Sequence, residues 1–127
     1  MTASLSKIAD QESAHNIEEI TNCFVDQLKP VKIFLFGSFA DGSYDDQSDY
    51  DFYIVVRDGE DLWDSRKKAR KAIRYIQKRP VDIVIGTDSR FQKYGNSSDT
   101  LFIEGEVFKK GMLLYEQDNV LTARRAV

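Results

Sequence analysis

The chain has 127 residues, of which 42% are hydrophobic and 31% charged, proportions that are ordinary for a globular protein and suit one domain over residues 1–127. A formal net charge of -3 and an isoelectric point near 5.2 argue against a general nucleic-acid-binding protein, which is usually basic. A single cysteine, Cys23, excludes an internal disulfide. Because no apolar run approaches ~18 residues and no secretion signal is evident, we expect a cytoplasmic protein without a membrane span.

The first half of the chain reads as one helix followed by two strands. Apolar residues recur at helical spacings of three and four, at Ile17, Ile20, Phe24 and Leu28. They predict a helix from Ser6 to Leu28 that ends before Pro30, because the residue before a proline disfavours helical dihedrals. The aromatic and branched residues of 32–36 and 50–56 predict two strands, separated by a polar turn over 40–48.

The second half alternates helices with short strands. Asp61 is placed to cap a helix that begins near Leu62 and closes before Arg79-Pro80. Residues 81–85 predict a third strand, and the stretch from 87 to 98 reads as a loop. We expect Ser98 or Asp99 to cap a last helix that runs to about Lys110, followed by a short edge strand over 112–115.

The order of the predicted elements defines the fold class. Amphipathic helices and half-apolar strands must cover each other's apolar surfaces. We therefore predict an α/β (α+β) fold in which a small mixed β-sheet has helices packed mainly on one face.

Three aspartates stand beside or inside these apolar strands. Asp49 and Asp51 flank Tyr50, so their side chains project from the same face of a strand, and Asp82 lies between Val81 and Ile83. Like charges held this close repel, and buried carboxylates are costly unless something compensates them. A divalent cation would do so, because Mg²⁺ selects hard oxygen ligands. Asp49, Asp51 and Asp82 are therefore predicted to be catalytic residues and metal ligands.

A glycine-serine turn follows the first predicted strand. Gly37 at the strand end would let backbone N–H groups approach phosphate oxygens, and Ser38 would add a hydroxyl donor. We predict that Gly37 and Ser38 bind the phosphates of a nucleotide.

The spacing of these residues resembles a known family. Phe36-Gly37-Ser38, then Ser48-Asp49-Tyr50-Asp51, then Val81-Asp82-Ile83 is similar to the pattern of the DNA polymerase beta-like nucleotidyltransferase superfamily. The short chain resembles its minimal nucleotidyltransferase subgroup, many members of which act with a HEPN-domain protein as toxin and antitoxin. The resemblance is firm from about Ile33 to Val84 and loose over 104–116.

The resemblance implies an activity and a set of partners. It implies a Mg²⁺-dependent enzyme that moves a nucleoside monophosphate, AMP from ATP as the leading expectation, to an acceptor hydroxyl. It assigns the metal ligands to Asp49 and Asp51, the third carboxylate to Asp82 and the phosphate turn to Gly37 and Ser38. Because the chain is short for an enzyme that also holds an acceptor, we expect a protein partner, a homo-oligomer or both, and the resemblance implies that such a partner is a HEPN-domain protein.

Two other functions stay open at this stage. Family members often have a basic residue where this chain has Asp41, which favours a catalytically weak or inactive module that neutralises a partner by contact. The predicted helix after the second strand is strongly basic and could contact RNA or an acidic partner, although such a run is more often a solvated helix face.

Overall fold

The computed structural model describes residue 5, residues 7–97 and residues 101–117. Within them the chain forms five helices and four strands. In chain order these are α1 (Gln11–Leu28), β1 (Lys32–Phe36), α2 (Ser38–Asp41), β2 (Tyr50–Val56), α3 (Leu62–Ile73), β3 (Val81–Thr87), α4 (Asp88–Gly95), α5 (Ile103–Lys110) and β4 (Met112–Glu116).

The four strands form one mixed sheet in the order β3-β2-β1-β4. β1 pairs antiparallel with both β2 and β4, whereas β2 and β3 run parallel. The parallel pair is joined by a crossover that contains α3, which is how parallel neighbours must be connected. The predicted fold class, a mixed sheet with packed helices, is confirmed.

Successive side chains of each strand point to opposite faces of the sheet, so the core has two parts, one on each face. Phe52, Ile54 and Val56 of β2 face the larger part, which α1 and α3 cover. Tyr53 and Val55 face a smaller part, which α4 and α5 cover. Most of the helical packing thus lies on one face of the sheet, and the opposite face carries two short helices.

The strand predictions hold more closely than the helix predictions. β1 and β2 have the predicted bounds, and β3 extends two residues past Ile85. α1 begins at Gln11 instead of Ser6, because the Asp10 side chain accepts hydrogen bonds from the N–H groups of Glu12 and Ser13 and caps the helix there. α3 ends at Ile73, several residues before Pro80.

The prediction of a loop over 87–98 was wrong for most of its length. α4 forms there because the Thr87 side chain accepts from the Arg90 N–H and because Phe91 is buried against the sheet. The last helix begins at Ile103, with Phe102 at its N-cap and no side-chain cap. Ser98 and Asp99, the predicted caps, lie outside the described residues.

No described helix is long and apolar enough to cross a lipid bilayer.

Candidate active site

Two of the three predicted aspartates lie side by side on the parallel strands. Asp51 is the second residue of β2 and pairs in register with Asp82 of β3. In a parallel pair, residues in register present their side chains on the same face. Asp51 is half-buried and Asp82 is exposed, so this pair of carboxylates lies at the border between core and solvent.

The ionisation of Asp51 reflects this crowding. Burial is the largest cause that raises the pKa of Asp51 to about 6, and a hydrogen bond with Asp82 adds to it. The negative charges of Asp82, Asp49 and Glu106 raise the pKa further. Asp49 is therefore within electrostatic range of the pair, although it precedes β2 and is part of the loop.

The backbone of Gly37 lies directly against the Asp51 carboxylate. Phe36, its chain neighbour, pairs with Asp51 across β1 and β2, and Gly37 then turns with a φ of 74°. A Cβ atom on Gly37 would lie 2.2 Å from Asp51 Oδ2, a distance that no real side chain tolerates. The glycine is required here both by its positive φ and by the close approach of a carboxylate.

Ser38 begins the single turn of α2, directly after Gly37. The first N–H groups of a helix have no acceptor within that helix, so those of Ser38 and Phe39 belong to the part of the turn that can receive an anion. Phe39 is buried and stacks on Tyr44, with 4.2 Å between ring centroids. This packing holds the turn against the larger core.

Arg79 fixes the loop that leads into Asp49. Its Nη1 donates hydrogen bonds to the backbone carbonyls of Asp45 and Ser48, both at 2.9 Å, and its guanidinium lies 5.0 Å from the centre of the Phe39 ring. The N–H of Tyr50 donates to the carbonyl of Pro80 at 3.0 Å. One arginine thus connects the loop before β2, the turn after β1 and the start of β3.

Asp41, the departure from the family pattern, is held within its own turn. Its Oδ1 accepts from the N–H of Ser43 at 2.8 Å and from the Ser43 hydroxyl at 2.6 Å. These hydrogen bonds, and to a smaller extent the charge of Lys110, lower the pKa of Asp41. The carboxylate therefore stabilises the turn after α2.

The described residues include no group of three His, Cys, Asp or Glu side chains arranged to hold a metal ion. The chemistry of the donor set nevertheless suits a hard divalent cation, because carboxylates on adjacent strands crowd each other enough to raise the Asp51 pKa. The assignment of Asp49, Asp51 and Asp82 as metal ligands stays a prediction, as do the nucleotide-binding roles of Gly37 and Ser38.

A buried polar network that sequence patterns do not reveal lies on the same face of the sheet as Asp51 and Asp82. The Tyr53 hydroxyl donates to Glu104 Oε2 at 2.6 Å, and Arg90 Nε donates to the same oxygen at 2.9 Å. Glu104 is 2% exposed, and the hydrogen bonds from Tyr53 and Arg90 outweigh its burial and lower its pKa. The network joins β2, α4 and α5, and α5 carries Glu106, whose charge acts on Asp51.

A comparison of the sequence with models of known protein families shows which family the chain belongs to. The family model described as "Polymerase beta, Nucleotidyltransferase" matches residues 18–120. The chain belongs to the polymerase beta nucleotidyltransferase family. The match includes Gly37, Asp51 and Asp82, which the fold brings together.

Individual relatives agree with the family match. A protein of Methanocaldococcus jannaschii that is named as a candidate protein adenylyltransferase is 37% identical over 68 residues, which are 54% of this chain. The matched stretch spans 65% of that relative's length.

Solved structures show the same fold at lower identity. A candidate nucleotidyltransferase from Sulfolobus solfataricus aligns with a TM-score of 0.53 and 15% identity, covering 91% of this chain and 86% of that one. A toxin–antitoxin crystal structure with AMP-PNP aligns with a TM-score of 0.52 and 23% identity, covering 85% and 82%. At these identities the likeness concerns the fold.

Proposed function

We propose that this member of the nucleotidyltransferase family transfers AMP from ATP to a hydroxyl group of a partner protein, with Mg²⁺ as cofactor. The observation that carries the proposal is the register of Asp51 and Asp82 on parallel strands, with Gly37 against the Asp51 carboxylate. The arrangement supports the proposal because acidic groups lie beside a glycine turn that has no side chain to block a phosphate. Nucleotidyl transfer requires both.

The turn after β1 would hold the triphosphate. Gly37 has no side chain to block a phosphate, and the backbone that follows it starts a helical turn whose N–H groups favour an anion. The Ser38 hydroxyl would donate a further hydrogen bond.

Asp51 and Asp82, with Asp49 from the preceding loop, would hold the magnesium ion. When bound, the ion supplies positive charge that neutralises the phosphates and polarises the phosphorus under attack. The carboxylates would in turn be stabilised by the cation.

The transfer itself needs a group that takes a proton. The acceptor oxygen forms a bond to the α-phosphorus while the bond from that phosphorus to the pyrophosphate oxygen breaks. Asp82, the exposed member of the pair, would accept the hydroxyl proton of the acceptor, and pyrophosphate would leave.

The acceptor is proposed to be a protein, with a tyrosine hydroxyl on a HEPN-type partner as the leading candidate. Support comes from the named activity of the Methanocaldococcus jannaschii relative and from the fold shared with a toxin–antitoxin structure. The resemblance of the sequence motifs to minimal nucleotidyltransferases points the same way.

The test is to incubate the protein with Mg²⁺, ATP labelled at the α-phosphate and the product of the neighbouring gene. We expect label on that product with the wild type and none with Asp49→Asn/Asp51→Asn. Asp26→Asn/Asp46→Asn, which removes the same charge at exposed positions outside the carboxylate pair, serves as the control. Equal labelling by the wild type and Asp49→Asn/Asp51→Asn would reject the assignment.

A second candidate is a module that neutralises its partner by contact with little catalysis. The observation in its favour is Asp41, whose carboxylate is bonded to Ser43 where many family members have a basic residue. If cells that express the partner were protected equally by the wild type and by Asp49→Asn/Asp51→Asn, contact would be the mechanism. Loss of protection in the variant would favour transfer.

A further inference from the structure

The outer face of α3 carries a basic cleft at the edge of the sheet that bears Asp82. The cleft has a volume of about 470 Å³. One aromatic and five cationic side chains line it: Trp63, Arg66, Lys67, Arg70, Lys71 and Arg74.

Two of these arginines attach α3 to β3 by hydrogen bonds. Arg66 Nη1 donates to the carbonyl of Ile83, and Arg70 Nη1 donates to the carbonyl of Val81. These carbonyls flank Asp82 in the chain and belong to a strand at the edge of the sheet. The arginines thereby satisfy backbone groups that an open strand edge would otherwise present to another chain.

The remaining cations are available to a partner. Lys67, Lys71 and Arg74 are exposed, and their long aliphatic stems form walls against which a peptide can pack. Trp63 is 71% exposed within the cleft, and aromatic side chains and arginine are enriched at protein interfaces.

The dimensions and surrounding charges favour a short acidic partner segment over a nucleic acid. α3 has 12 residues and so is about 18 Å long, a length that about six extended residues span. Asp58, Glu60, Asp61 and Asp64 surround its N-terminal end, and the chain as a whole has a net charge of -3. A polyanion that extended beyond the N-terminal end of the helix would meet more of these carboxylates than a segment no longer than the helix.

We propose that this cleft docks an acidic segment of the acceptor protein on the α3 side of β3, the strand that contains Asp82. The inference rests on the proposed transfer to a protein, for which it supplies the surface that recognises the acceptor. Exposed cationic side chains would give it charge selectivity and a fast, salt-dependent association.

The test uses the single tryptophan of the chain as its reporter. Trp63 lines the cleft, so its fluorescence reports on occupancy without a label. The full chain is titrated at low salt with a tryptophan-free hexaglutamate peptide of about the length of α3, and separately with an oligouridylate of equal charge. We expect a saturating change in Trp63 emission with the peptide that weakens as salt screens the charges.

Matched variants locate the binding. Lys67→Gln/Lys71→Gln should weaken peptide binding by about fivefold, since exposed charge contacts contribute modestly and each tenfold corresponds to about 1.4 kcal/mol. Lys7→Gln/Lys109→Gln removes the same charge from exposed lysines elsewhere and should bind as the wild type does. Glutamine and lysine have similar helix propensities, so α3 should persist.

Three outcomes would overturn the inference: no emission change with the peptide, equal weakening in both lysine variants, or tighter binding of the oligouridylate than of the peptide. Asp49→Asn/Asp51→Asn should bind the peptide like the wild type, because its substitutions lie outside the cleft. Failure of docking with intact AMP transfer would reject the cleft alone, whereas intact docking without any transfer would reject the enzymatic proposal alone.

Discussion

At the scale of single residues, the backbone of Gly37 and the carboxylate of Asp51 share a space that a methyl group would fill. The clash of a Gly37 Cβ atom involves Asp51 Oδ2 at 2.2 Å and Asp51 Cγ at 3.1 Å. Gly42, five residues later, also has a positive φ, 86°, but nothing lies within 4 Å of its Cβ position. A comparison of substitutions at the two glycines therefore distinguishes the effect of backbone strain from the effect of contact with the Asp51 carboxylate.

We expect Gly37→Ala to displace Asp51 and to reduce AMP transfer by about 100-fold, the loss typical of an ångström-scale misplacement. Gly42→Ala should cost only the strain of a positive φ, about 1 kcal/mol of unfolding free energy, and keep its activity. Transfer rates and urea unfolding of the two variants check this. Similar activity in both would show that Gly37 has no special relation to the site.

Glu104 is the residue whose charge state should govern stability in acid. Its pKa in the folded protein lies below the ordinary value, because the hydrogen bonds from Tyr53 and Arg90 favour the carboxylate more than burial disfavours it. A lowered folded pKa stabilises the fold above the unfolded value, about 4.3. This contribution is lost as the pH falls through the lower folded pKa.

We therefore expect Glu104→Gln to lower the unfolding free energy at pH 7 by about 1–3 kcal/mol, the range for a hydrogen bond with a charged group. The variant should also lose stability less steeply than the wild type below pH ~4. Glu18→Gln, on α1, is the control and should follow the wild type. If Glu104→Gln and the wild type lost stability equally steeply as the pH falls, the ionised Glu104 carboxylate would not be the group that governs stability in acid.

Sequence spacing identified the acidic residues but could not identify what supports them. The separation of Gly37, Asp51 and Asp82 is a pattern that can be read directly, and the fold places these residues together. Glu104 and Arg90 lie in short helices whose packing depends on contacts distant in sequence. In the sequence they look like solvated charges.

At the scale of elements, Arg79 joins the loop before β2 to the turn after β1. It donates to two carbonyls of the loop and lies over the ring of Phe39. The position of Asp49 depends on this loop, because the aspartate itself precedes the strand. We therefore propose that Arg79 positions Asp49.

Arg79→Gln should destabilise the protein by about 1–3 kcal/mol, since it removes hydrogen bonds and a cation–π contact. AMP transfer should fall further than this loss of stability explains, at temperatures where the variant is fully folded. Lys78→Gln, which changes the exposed neighbouring side chain, should leave both the stability and the rate of AMP transfer equal to those of the wild type within experimental error. Activity that merely tracks the folded fraction would reject the positioning role.

The strands were easier to predict than the helices for a physical reason. β1 and β2 are buried runs of aromatic and branched residues bounded by turn residues, so their limits are local. α4 has only one large buried apolar residue, Phe91, and its polar sequence resembles a loop until the sheet supplies a partner. The start of α1 depended on the Asp10 cap, which apolar periodicity does not reveal.

At the scale of the whole molecule, negative charge is concentrated where the proposed nucleotide and metal would bind. Burial is the largest cause that raises the pKa of Asp51 to about 6, and the charges of Asp82, Asp49 and Glu106 add to it, so at pH 7 its carboxylate is ionised at a cost to folding. The folded protein loses stability at this carboxylate, a pattern common at functional sites.

Asp51→Asn should therefore raise the unfolding free energy at pH 7, without nucleotide or metal, by about 1–2 kcal/mol. Asp46→Asn, at an exposed loop position, should change it by less than about 0.5 kcal/mol. Chemical denaturation of the two variants measures the difference. A destabilised Asp51→Asn protein would mean that this carboxylate is compensated by its surroundings and has no need of a cation.

The response of thermal unfolding to Mg²⁺ and ATP tests the central claim most directly, because it requires no acceptor. A ligand that binds only the folded state raises its stability, by about 2.7 kcal/mol at a hundred times its Kd. We predict that Mg²⁺ and ATP together raise the melting temperature of the wild type and leave that of Asp51→Asn/Asp82→Asn unchanged. An equal rise in both proteins would contradict the account, since the nucleotide would then bind without the paired carboxylates.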